Sequence, residues 1–136
     1  MDFKLHPQLE ADCFTLGLIN NCTLLLHKNA LVPWFILVPH TNEREIYKLE
    51  MMQQEQLHKT INQLAQFVES NFTTDKLNIA TIGNIVPQLH VHIIGRHTND
   101  FCWPEPVWGK SESSEYSAEA LQSIKNILQN LSIITK

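Results

Sequence analysis

Along the chain, short apolar runs alternate with turn-forming residues before the spacing turns helical. Phe14 to Ile19 is apolar, Asn20-Asn21 is a turn signal, and Cys22 to His27 is apolar again, which predicts a hairpin. Lys28-Asn29-Ala30 marks another turn. Trp34 to Val38 is continuous and rich in strand formers, and Pro39 with the polar Thr41-Asn42 closes it. Unbroken apolarity of this kind predicts a strand covered on both faces. Leu57, Ile61, Leu64, Ala65 and Val68 follow at helical spacing and, with Leu49 and Met52, are read as one stripe. The helix is placed over Ile46 to Asn71, as one piece or as a short helix followed by a long one.

Lys76 to Ile82 and Gln88 to Arg96 read as two further strands, with Gly83-Asn84 as the turn chemistry between them. A connection this short makes them antiparallel. Ser117 is a fair N-cap, Glu119 suits the first turn, and Leu121, Ile124, Leu128 and Leu131 form an apolar stripe, so a C-terminal helix is expected. The result is an α+β domain: an antiparallel sheet of about five strands, a long helix packed on one face, and a C-terminal helix. Residues 1–110 form the body. Residues 111–136 form a polar linker and the last helix, belonging to the same domain or to a dimer contact.

Composition narrows the classes. At 136 residues, one domain with its own core is expected. A formal net charge of −4 argues against duplex nucleic acid as partner but leaves a small phosphorylated ligand open. The three cysteines, Cys13, Cys22 and Cys102, fit no zinc framework and read as packed thiols of a cytosolic protein. Met1-Asp2-Phe3-Lys4 does not read as a secretory start, and Ala30 to Pro39 is too short and proline-broken to span a bilayer. A cytoplasmic protein without a membrane partner is the expectation.

The stretch that bears chemistry is Val86-Pro87-Gln88-Leu89-His90-Val91-His92-Ile93-Ile94-Gly95-Arg96. On a strand, Gln88, His90 and His92 project together while Leu89, Val91 and Ile93 face the core. Two imidazoles on one face suit phosphate chemistry or a metal. Imidazole, with a reference pKa of about 6.5, is an able nucleophile near neutrality, and a second ring can assist the leaving group. An exposed polar face without chemistry is the bland alternative.

Pro-Gln-Leu-His-Val-His-Ile-Ile-Gly-Arg resembles the signature of the histidine-triad (HIT) superfamily, His-x-His-x-His followed by apolar residues. Gly83-Asn84-Ile85-Val86 sits where that family usually has Gly-Gln-Ser/Thr-Val, and Trp34 to Pro39 is similar to its buried strand ending in proline. The resemblance runs from about Phe14 to Arg96. It is closest to a bacterial branch with Gln-x-His-x-His, often described as diadenosine-polyphosphate hydrolase-like.

That resemblance implies a HIT-like fold, a homodimer, and attack on the α-phosphate of a nucleoside phosphoramidate or dinucleoside polyphosphate. His90 takes the nucleophile's place, forming a nucleotidyl-histidine. His92 lies near phosphate and leaving group, and Gln88 stands in the supporting network. Asn84, Asn78 and Arg96 are the candidate substrate contacts. No metal or cofactor is called for, because imidazole supplies the nucleophile. Two departures favour a nucleotide-binding module with little turnover as the rival reading. Gln88 cannot titrate near neutrality, and Ile85 removes a hydroxyl. A metal site built on His90 and His92 is a further rival, lacking a carboxylate at suitable spacing. Arg96 is equally a salt-bridge partner. Trp103 and Trp108 are read as loop anchors ahead of base-stacking residues, and His27 as structural.

Overall fold

The computed structural model describes residues 2–131 and 134–135. A short helix α1 (Pro7–Asp12) leads into β1 (Cys13–Ile19), β2 (Cys22–His27) and β3 (Trp34–Pro39). A single 3-10 turn, Ile46–Lys48, precedes the long helix α2 (Met51–Asn71). Then come β4 (Lys76–Ala80), β5 (Val91–Arg96), α3 (Ala118–Leu128) and a two-residue strand β6 (Ile134–Thr135). The sheet order is β4-β5-β3-β2-β1-β6, and every pairing is antiparallel.

Local chemistry explains the main elements. Asn20 and Asn21 both take positive φ, as a two-residue hairpin turn demands, and the Asn20 amide donates to Thr60 and Gln63 of α2. Gln53 accepts from the Glu50 backbone N–H at the start of α2, one arm of a capping box. The Ser117 hydroxyl caps α3 by accepting from Ala120. Met52 departs from the expected stripe and is exposed. Five residues before Leu57 places it about 140° around the helix from that side chain.

The sheet is covered on both faces, but unequally. Leu24, Leu26, Phe35, Leu37, Val91 and Ile93 meet α2 and α3. On the opposite face, Leu25, Ile36, Val38 and Ile94 meet Leu9 of α1, Val86 and Val107. This explains why β3 is buried along its whole length. Among the described residues, the second face is covered by loops and the short helix α1, which leaves room for clefts. The strand expected over Gln88 to Arg96 begins at Val91, and the one expected to reach Ile82 ends at Ala80. Residues 81–90 instead form the rim of the site. Among the described residues, no helix is long and apolar enough to cross a membrane.

Candidate active site

Inward–outward alternation through Leu89, Val91 and Ile93 pins those side chains under α2 and turns His90 and His92 to the other face. The two imidazoles are 5% and 6% exposed, with ring centroids 5.0 Å apart. They sit at the floor of a cleft of about 510 Å³ lined also by His27, Trp34, Asn84 and Trp108. A second cleft, of about 540 Å³, adjoins it and shares His90 and Asn84. Its other walls include Arg44, Glu45, Gly83 and Gln88. The first is aromatic and apolar, and the second is polar.

The hydrogen bonds of the two rings are complementary. His90 Nδ1 lies 2.6 Å from the Gln88 carbonyl oxygen. A carbonyl only accepts, so Nδ1 carries the proton and the neutral ring has its lone pair on Nε2. His92 Nδ1 accepts from the indole N–H of Trp34 at 2.9 Å. Its neutral ring therefore carries the proton on Nε2 and can offer it as a hydrogen bond. Burial, reinforced by the neighbouring His90 and His27 rings, pushes the His92 pKa down to about 3, so this ring is uncharged at neutral pH. Trp34 is held in turn by a stack on His27, with centroids 4.1 Å apart, and by edge contacts with Trp108. The His27 pKa is also lowered, by burial.

The other expected site residues separate into two groups. Asn84 borders both clefts beside His90. The Gln88 amide is engaged elsewhere: Oε1 accepts from the His6 backbone N–H, and Nε2 donates to the Lys4 carbonyl, each at 2.9 Å. The contact of Gln88 with His90 is through its main-chain carbonyl. In this structure the amide acts as a strap on the N-terminal segment. Arg96 and Asn78 are not brought to either cleft. Arg96 is 1% exposed and is held bidentately by Asp100, at 2.7 and 3.0 Å, while Nη1 donates to Asn78 Oδ1 at 3.0 Å. In this structure both belong to a buried ion-pair network. Burial by itself raises the Asp100 carboxyl. Hydrogen bonds from Arg96 and from the His97 and Cys102 backbones outweigh this and hold it at about 2.

Sequence reasoning missed Trp34 and read His27 only as structural. A signal was present in the apolar alternation of β3, which sets Trp34 and Ile36 on one face. The pairing of Ile36 with His92, which brings that face to the histidines, is a matter of tertiary register. Trp108 anchors its loop against Trp34 and His92 and also lines the cleft. Burial drives the Cys13 and Cys22 thiols up to about 12, as befits packed rather than reactive groups. Among the described residues, no three His, Cys, Asp or Glu side chains are grouped to hold a metal ion.

Comparison with known proteins places this arrangement. The HIT domain family profile matches residues 8–99. A histidine triad protein from Marinobacter aquaeolei is 43% identical over 95% of both chains, with a TM-score of 0.90. A histidine triad protein from Bradyrhizobium japonicum is 38% identical over 98% of both, with a TM-score of 0.91. A hypothetical histidine triad nucleotide-binding protein from Sulfolobus tokodaii, at 18% identity and a TM-score of 0.65 over 89% of this chain and 84% of its own, shares the fold. Among curated proteins no sequence match is found.

Proposed function

The chain belongs to the histidine-triad (HIT) family, and from that premise we propose that it is a nucleotide hydrolase or nucleotidyl transferase acting at the α-phosphate of a small nucleotide. The observation that carries this reading is the bond from His90 Nδ1 to the Gln88 carbonyl, which leaves Nε2 as the free nucleophilic nitrogen. The nucleoside occupies the aromatic cleft, where a base can stack. The phosphates lie at the junction of the two clefts, beside Asn84 and the His92 Nε2–H. His90 Nε2 bonds to phosphorus as the leaving group departs. The positive charge gained by the ring is stabilised by the dipole of the Gln88 carbonyl, which accepts from Nδ1–H. Water then replaces Nε2 on phosphorus and releases a nucleoside monophosphate.

The substrates within this reading are nucleoside phosphoramidates and dinucleoside polyphosphates. A homodimer belongs to the same proposal. Strand β4 leaves an open sheet edge, and Tyr47, Met51, Met52 and Ile79 are exposed apolar side chains.

A nucleotide-binding module with little turnover is the second reading, favoured by Ile85 at the usual hydroxyl position and by the committed Gln88 amide. Release of AMP from diadenosine tetraphosphate and from an adenosine phosphoramidate decides between them. The hydrolase reading expects AMP release that His90→Ala abolishes. Tight AMP binding by the wild type with no release from either compound supports the module instead.

A further inference from the structure

We infer that Trp34 is a positioning residue that holds His92 as a neutral hydrogen-bond donor, so that the site expels leaving groups that depart as stable anions and discriminates against amines. This rests on the proposed function and narrows its substrate class to anhydrides of a nucleoside monophosphate with another acid, such as a phosphate or carboxylate.

An indole N–H only donates. With Trp34 Nε1 2.9 Å from His92 Nδ1, that nitrogen must present its lone pair. A second proton on the ring would have to sit on Nδ1, against the indole N–H. It would break the bond and strand a buried donor, at a cost of about 1–3 kcal/mol. Trp34 has no easy retreat, being buried in β3, stacked on His27 and edged by Trp108. Burial and the two neighbouring imidazoles act in the same direction on His92.

The consequence falls on the leaving group. When the His90 Nε2–P bond forms, the electron pair of the breaking bond goes to the departing atom. A phosphate or carboxylate oxygen keeps that pair as a stable anion and needs no proton. An amine nitrogen must receive one. His92 Nε2–H can hydrogen-bond to it, but releasing this proton from a neutral ring would leave an imidazolate. Among the described residues, the remaining ionisable groups lining the two clefts are Asp12, Cys13, His27, Arg44 and Glu45. Carboxylates accept, a guanidinium does not release its proton, burial pushes the Cys13 thiol to about 12, and burial likewise lowers the His27 pKa. None of these supplies a general acid near neutrality. The polar cleft beyond His90, with Arg44 on its wall, gives an anionic leaving group a place to go, although Glu45 beside it limits the charge.

The test compares two substrates that share the adenylyl group, diadenosine tetraphosphate and an adenosine 5′-alkylphosphoramidate, on the full chain at neutral pH. Wild-type kcat/KM should favour the anhydride by about a hundredfold or more, the size of a missing general acid. Trp34→Phe keeps a ring but removes the donor, and should narrow that ratio by about tenfold. Nitrogen-15 NMR of the wild type should show His92 protonated on Nε2 alone from about pH 5 to 8. In Trp34→Phe, His92 should titrate closer to its reference value of about 6.5. Should that variant not fold, the wild-type ratio and tautomer still decide. Equal turnover of the two substrates, or a His92 proton on Nδ1, overturns this inference alone. Turnover of neither substrate overturns the hydrolase reading and this inference with it.

Discussion

Trp34 and His92, 58 residues apart in the chain, are joined by a buried hydrogen bond of 2.9 Å from indole Nε1 to imidazole Nδ1. The bond fixes the ring's tautomer and has a consequence for stability. The folded His92 takes up a proton only near pH 3, whereas in the unfolded chain it does so near its reference value of about 6.5. Between those values the unfolded state binds the extra proton. The His92 contribution is therefore complete above about pH 6.5 and is lost as the pH falls toward 3. At pH 5 the loss is on the order of 2 kcal/mol. Urea unfolding at pH 7 and pH 5 should show it, and His92→Asn should shrink the difference. The same loss in wild type and variant would contradict the assignment.

The Gln88 strap predicts a separation of stability from catalysis. Gln88→Ala removes two hydrogen bonds to the N-terminal segment, each worth about 1 kcal/mol net. The midpoint of thermal unfolding should fall and amide exchange at His6 should quicken, while kcat stays within a few-fold of wild type. A collapse of kcat at unchanged stability would return the Gln88 amide to the catalytic network.

The Arg96–Asp100 pair is buried, and its disruption should be severe. Asp100→Asn leaves Arg96 buried without a counter-charge, a change that costs about 3–5 kcal/mol. It also weakens the acceptor for the backbone N–H groups of His97, Cys102 and Trp103. Denaturant unfolding should show the loss, with faster amide exchange at Cys102 and Trp103. A change below about 1 kcal/mol would mean the pair is solvated.

What the sequence made legible is local. The Asn20-Asn21 hairpin, the unbroken run of β3, the period of α2 and the Ser117 cap each declare themselves within a few residues, and each is present. His90 and His92 were equally legible, because alternation along one strand puts them on one face. The boundaries of β4 and β5 were overextended, since the 81–90 rim leaves the sheet, with Val86 and Leu89 buried without strand pairing. Helix α1, six residues long, is too short to show a period. The partners of Trp34, Gln88 and Arg96 were not legible, because strand register and loop return decide them. Gln88, for example, meets Lys4 across 84 residues. An arginine after a catalytic motif has the same appearance whether it faces a phosphate or a buried aspartate.

The most direct test of His90 as the nucleophile is to trap it. The chain is mixed with diadenosine tetraphosphate radiolabelled at an α-phosphate, quenched within the first turnover, and examined for label on protein beside a His90→Ala control. The account predicts acid-labile, base-stable label that maps to His90 and is absent from the control. AMP release at full rate by His90→Ala, or label residing on another residue, would contradict it.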